Sequence, residues 1–334
     1  MWRRLTVLAV AALMAGALAA CGSDDEGGGE SGADGGQEVT KIAFFGFASA
    51  NSFAQATLAG IRETAEKEGV EVEFFDPNFD AATQVSQIQN AITRGEFQAF
   101  IVQANDGNAV VPPIREAIEE GITVVGEFTP VGTRYDTIEP QVEGLIFVGE
   151  SPAENGTTLG ELGVEACKEA EPPCQVAYLE GFKALPLDNA RTEAVKAELE
   201  TGSGVELVAS VEGGYTQDSG LAAAQNILQA HPDVDVIIGS SQAIAGAEQA
   251  VEDAGAEVQL IGNGGSRQAV AAVKEGRWFA TYASAEKAAG AKAAELAIAA
   301  ARGEEVPLSF NTRQLGVPLG TKENLGSFEG QYDE

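Results

Sequence analysis

The chain has 334 residues and sets 51 Asp and Glu against 20 Lys and Arg, for a formal net charge of −31 with a single histidine. Nucleic acid and anionic lipid are thereby excluded as partners, because both need a basic face, and the acidic excess reads as a solvated, soluble surface. Three cysteines and one histidine leave no ligand set for a metal site, so neither metal nor cofactor is expected.

In chain order, Arg3 and Arg4 precede an apolar run at 5–17, of signal-peptide length and too short to span a bilayer. Small residues then lead to a cysteine in Leu18-Ala19-Ala20-Cys21, which resembles the lipobox of bacterial lipoproteins. That resemblance implies a signal peptide at 1–20 and a lipidated Cys21 holding the chain to the outer side of a membrane. Residues 21–38 are rich in Gly, Asp and Glu without a large apolar side chain. They cannot bury surface, so a disordered tether of roughly 20–25 Å is expected. With Cys21 lipidated, Cys167 and Cys174 remain as an even pair around Pro172-Pro173. A local disulfide is expected there, the other reading being two buried thiols.

The 295 or so residues from Val39 onward suit two domains. Strands are predicted at 41–47, 71–76, 99–104, 123–128 and 145–149. The helices between them span 52–68, a stretch capped by Asp80 and ended by Gly95, and 109–120. The same alternation continues with helix 153–170, strand 175–180, helix 188–200, strand 205–210 and helix 217–230. Strand 236–239, helix 242–254, strand 258–262, helix 266–275, strand 279–284 and helix 285–302 complete it. Apolar strands separated by amphipathic helices specify parallel sheets covered on both faces. The expected fold class is therefore α/β, with two doubly wound Rossmann-like lobes whose ligands sit beyond the carboxyl ends of the strands.

Catalytic groupings are missing. His231 lies in a helix-to-strand turn, where a capping role is expected, and no second histidine completes a nucleophile–base set. The segment Gly262-Asn263-Gly264-Gly265 lacks the spacing of a dinucleotide fingerprint. No pair of carboxylates is singled out as an acid–base couple, so no enzymatic activity is expected.

The strand Lys41 to Phe47 followed by Asn51-Ser52-Phe53, Gly60, the stretch 181–191, the run 228–234, Ile261-Gly262 and the segment 283–291 together resemble type I periplasmic binding proteins of the ribose- and galactose-binding kind. The likeness covers roughly residues 40–317. It implies a three-segment hinge, with 39–148 plus 285–310 in an N-terminal lobe and 149–284 plus 311–330 in a C-terminal lobe. It also implies a ligand set of Asn51, Phe53, Gln103 and Glu127 from the first lobe. Phe128 stands where the family has arginine. Phe182, Arg191 and Tyr215 come from the second lobe, with Ser240, Gly264 and Ser284 in place of the usual asparagine, aspartate and glutamine. On residues alone, Phe53 and Tyr215 could equally be core, and Arg191 a surface ion pair.

Losing charged and amide groups while gaining aromatic ones points away from plain ribose and toward a less hydroxylated polyol, a sugar derivative or a heterocycle. The resemblance implies the solute-binding lipoprotein of an ABC importer, a monomer that meets a permease. A sensor serving a chemoreceptor or membrane kinase is the alternative. An anchored enzyme is disfavoured, and a signal peptide stands where a repressor of the same fold would carry its DNA-binding domain.

Overall fold

The computed structural model describes residues 38–334. Cys21, the signal segment and residues 21–37 of the tether lie outside the described residues.

The alternation from residue 41 resolves into two six-stranded sheets. The first contains β1 (Lys41–Phe45), β2 (Glu71–Phe75), β3 (Ala99–Val102), β4 (Thr123–Phe128), β5 (Leu145–Gly149) and β11 (Ser309–Asn311). Their order is β11-β5-β4-β3-β1-β2, parallel throughout. The second contains β6 (Cys174–Glu180), β7 (Val205–Glu212), β8 (Val236–Ser240), β9 (Gln259–Asn263), β10 (Ala280–Ala283) and β12 (Val317–Thr321). Its order is β12-β10-β9-β8-β6-β7, and only β12 runs antiparallel. Both lobes thus repeat the doubly wound order 2-1-3-4-5, with a switch point between their first and third strands. Central strands such as Ala-Phe-Ile-Val in β3 are buried along their whole length, as sheets covered on both faces require.

Helices α1 (Ser52–Lys67), α2 (Ala81–Arg94), α3 (Val111–Glu119) and α9 (Glu286–Ala301) pack on the first sheet. Helices α4 (Pro152–Ala166), α5 (Pro186–Leu199), α6 (Gln217–Ala230), α7 (Ser241–Ala254) and α8 (Arg267–Glu275) pack on the second. Asp80 caps α2 by accepting from the Thr83 amide at 2.6 Å, and Gly95 ends it in the left-handed conformation. Helices α1 and α9 approach so closely that a Cβ on Gly60 would stand 1.9 Å from the Lys287 carbonyl, and one on Gly290 2.1 Å from that of Thr57. This contact explains why a glycine recurs inside each helix despite its cost of about 1 kcal/mol.

The chain passes from one sheet to the other between β5 and α4, between β10 and α9, and between β11 and β12. Those passages hold the two lobes together at one side of a cleft. The strands β11 and β12 lie beyond the last element the sequence pattern predicts. Both are short edge strands, and β12 carries Pro318, so neither has a strong periodic signature. The helix predicted over 153–170 stops at Ala166 and tightens into a short 3-10 turn at Cys167–Glu169.

There Cys167 is joined to Cys174, with Sγ–Sγ 2.05 Å and Cα–Cα 5.6 Å. The bridge ties the end of α4 to the start of β6. Loop-closure entropy over so short a loop limits its contribution to about 2–3 kcal/mol. Reduction, or Cys167→Ser with Cys174→Ser, should therefore lower the denaturation midpoint of the oxidised protein without unfolding it at 25 °C. Chemical denaturation with and without reductant measures this, and identical midpoints would show that the bridge carries no stability.

Candidate functional site

The carboxyl ends of both sheets face a common cleft. A cavity there is lined by Phe47, Asn51, Phe53, Phe79 and Phe128 from the first lobe, and by Leu185, Leu187, Arg191, Tyr215, Gln242 and Asn263 from the second. Glu150 and Ser284, at two of the inter-lobe passages, complete the lining. The cavity volume is about 50 Å³, room for a few waters in this arrangement of the lobes.

The first-lobe half is mostly aromatic. Asn51 caps α1, its side-chain oxygen accepting from the Ala54 amide at 2.9 Å, which leaves its NH2 group as a donor toward the cavity. Phe53 packs edge-on against Phe128 at 4.6 Å, and Phe47 does the same at 6.0 Å. Phe128 holds a φ of 62°, a left-handed conformation that a bulky side chain adopts only when its surroundings impose it.

The second-lobe half is organised by a residue the sequence reading passed over. Asp188, in the first turn of α5 and 2% exposed, accepts from Arg191 Nη1 at 2.8 Å and from the Tyr215 hydroxyl at 2.5 Å on one oxygen. Its other oxygen accepts from the Phe182 amide at 2.8 Å. Arg191 also donates through Nε to Asn155 Oδ1 at 2.6 Å. The guanidinium is thus locked and charge-balanced within its own lobe, and its Nη2 edge is left without a protein acceptor among the described residues. A Cβ on Gly181 would lie 2.3 Å from the Asp188 carboxylate, so only glycine fits beneath this arrangement.

Six predicted residues meet at the cavity: Asn51, Phe53, Phe128, Arg191, Tyr215 and Ser284. Five do not line it. Gln103 is fully buried and donates to Thr57 and, at 2.7 Å, to Glu127, so this amide–acid pair serves the first-lobe interior. Glu127 turns inward because Phe128 takes the cleft position. It lines a second, smaller cavity at the inter-lobe passages with Glu150, Tyr282, Glu286 and Arg313. The charge that balances Arg191 comes from Asp188. Phe182 stands behind the cavity against Tyr215 at 5.2 Å. Ser240 caps α7 and donates to the Gly214 carbonyl at 2.8 Å. Gly264 holds a φ of +155°, and a Cβ there would meet Ser241 and Tyr332.

The lining residues not predicted are Phe47, Phe79, Glu150, Leu185, Leu187, Gln242 and Asn263. Phe47, Glu150, Gln242 and Asn263 lie within two residues of a strand's carboxyl end, where the strand-end rule applied to every strand would have drawn attention to them, whereas Phe79, Leu185 and Leu187 lie farther along the following loop or helix. Several are already committed to protein partners. Asn263 and Asn155 exchange amide hydrogen bonds at 3.1 and 3.2 Å. Gln242 donates across the cleft to Ser52 at 3.2 Å, and Glu150 accepts from the Tyr282 hydroxyl.

A signature described as the periplasmic binding protein domain matches residues 42–305. The ribose import binding protein of Bacillus subtilis is 24% identical over 279 residues, covering 79% of this chain and 84% of that protein. Among solved structures, an ABC transporter solute-binding protein from Mycobacterium smegmatis with bound glycerol superposes with a TM-score of 0.74. It is 25% identical and covers 89% of this chain and all of its own. A solute-binding protein from Bacillus halodurans with bound myo-inositol also reaches 0.74 at 23% identity, covering 90% of this chain and 100% of its own.

The buried acids make stability depend on pH. Burial pushes the Glu127 carboxyl up to about 8, against the pull of the Gln103 amide. It pushes Glu150 up to about 7, against the Tyr282 hydroxyl and the Arg313 and Arg191 charges. The folded protein therefore binds more protons than the unfolded chain between roughly pH 4.5 and 8, and stability falls as pH rises through that window, by at most about 1.4 kcal/mol per unit per group. Exposed acids such as Glu63, held near 2 by Lys287 and Lys67, act below that window. Melting curves should thus shift downward from pH 5 to 8, and Glu127→Gln, which mimics the protonated acid, should flatten part of the slope. An unchanged slope in Glu127→Gln would show that this carboxyl is not the one titrating.

Proposed function

We propose, from the premise that this chain belongs to the periplasmic binding protein family, that it captures a small polyol-like or sugar-like solute between its lobes and presents it to the permease of an ABC importer. The family's members bind solutes rather than transform them and work outside the cytoplasm. Within the reading, Cys21 carries the lipid that anchors the mature chain, the segment after it is the tether, and the protein acts as a monomer.

The observation that carries the proposal is the cavity's composition, a box of phenyl and leucyl groups around few uncommitted polar atoms. Those atoms are the Asn51 amide NH2, the outer edge of Arg191 and the Gln242 carbonyl oxygen. A ring bearing a hydroxyl on every carbon would set several of them against phenyl faces, at about 1–3 kcal/mol for each group left unpaired. A solute with one apolar face and three or four hydrogen-bonding groups fits instead. Arg191 is neutralised by Asp188, and burial raises the Glu150 carboxyl above its ordinary range, so a strongly charged solute is disfavoured.

Titration calorimetry and small-angle scattering against D-ribose, myo-inositol, glycerol and O-methylated or deoxy derivatives test the reading. The radius of gyration should fall at saturation, because two lobes on a narrow hinge close around solute. Arg191→Ala should weaken binding at least tenfold, a lost charged hydrogen bond. Wild-type affinity in Arg191→Ala, or an unchanged scattering curve at saturation, would contradict the proposal.

A further inference from the structure

Phe79 stands apart from the other cavity aromatics. It belongs to the loop between β2 and α2 of the first lobe, a loop without apolar periodicity. Asn78 and Phe79 both hold left-handed backbone conformations, with φ of 50° and 60°. Neighbours within the first lobe impose them. The Asn78 amide donates to Asp76 Oδ1 at 2.9 Å, the Phe79 amide to the Phe47 carbonyl at 2.8 Å, and the Asp80 amide to the Pro77 carbonyl at 3.0 Å. Two successive non-glycine residues in this region persist only where surrounding contacts over-determine them, and such strain gathers at ligand clamps.

The strained loop aims the Phe79 ring across the cleft. It lies nearly parallel to Tyr215 at 6.3 Å and edge-on to Phe182 at 5.3 Å, and those two rings meet each other at 5.2 Å. On its own side it stacks on Phe47 at 6.2 Å. The receiving rings are fixed independently, since the Tyr215 hydroxyl and the Phe182 amide both bind Asp188. A preset ring on one lobe therefore meets a preset two-ring notch on the other, and the same ring forms part of the cavity wall.

We propose that Phe79 is a latch built into the protein. Its docking against Phe182 and Tyr215 holds the lobes together and closes the cavity over a bound ring, and it gives the solute-free protein a minor closed population that solute then enlarges. The inference rests on the two-lobed, closing reading of the fold but not on the identity of the solute. Any solute must then fit beneath this ring, which makes Phe79 a limit on ligand thickness as well as a brake on opening. The Ser52–Gln242 hydrogen bond also spans the cleft, but it is a single neutral contact with no strained geometry behind it.

Pulsed electron resonance between spin labels at Ser86→Cys and Asp218→Cys, exposed positions in α2 and α6, reads the lobe separation in full-length protein purified and stripped of solute. The solute-free wild type should show a short-distance, closed population. Phe79→Ala should reduce the closed-to-open ratio on the order of tenfold, as expected for losing two aromatic contacts. Phe79→Trp should retain the closed population, and Ser52→Ala should change it far less than Phe79→Ala. Phe79 is half-buried in a loop, and a melting curve of Phe79→Ala at the wild-type value confirms that the variant folds. A closed fraction that survives Phe79→Ala, or a solute-free wild type with no closed population, overturns the latch. Either result leaves the binding proposal standing, because that is read from titration with solute.

Discussion

The buried carboxylate of Asp188 is the constraint on which the second half of the site depends. One side chain fixes the Arg191 guanidinium, the Tyr215 ring and the turn that carries Phe182. Each donor would be costly to bury alone, and an isolated arginine in this setting would be prohibitive. Paired, the group is neutral overall and rigid, which suits a site whose task is to recognise rather than react. Gly181 is part of the same construction, since any side chain there would occupy the space of the carboxylate.

The first lobe answers with shape rather than charge. Phe47, Phe53, Phe79 and Phe128 form a continuous set of tilted, stacked and edge-on contacts. Two of the four depend on left-handed backbone positions. Charge in this lobe is withdrawn behind the rings. Glu127 is tied to Gln103, and Glu286, whose carboxyl burial drives well above the ordinary range with Glu127 and Glu150 adding to the effect, sits at the inter-lobe passage. The cleft therefore joins a polar, pre-satisfied wall to an apolar one, and solute and water compete for only a handful of hydrogen-bonding atoms.

Much of this was legible in the sequence because the fold rests on period and punctuation. Buried strands, the Asp80 cap, the Gly95 stop and the alternation of elements follow from local chemistry, and the rule that ligands gather beyond strand ends led to the cleft. What escaped depends on tertiary override of local pattern. Glu127 and Phe128 are adjacent, and which of them faces the cleft is decided by one left-handed dihedral that no periodicity encodes. Asp188 reads as an ordinary first-turn acid favouring the helix dipole, yet Pro186 starts α5 two residues earlier than predicted and turns that acid into the lobe interior. Phe79 lies in a loop, where position is set by the turn and by partners distant in sequence.

The most direct test of the account is native mass spectrometry of freshly purified, exported full-length protein, followed by release and identification of whatever is bound. The account predicts one molecule per chain of an uncharged, single-ring compound with an apolar face, such as a deoxy or O-methylated polyol. A bound disaccharide, peptide, nucleotide or multiply charged acid would contradict it.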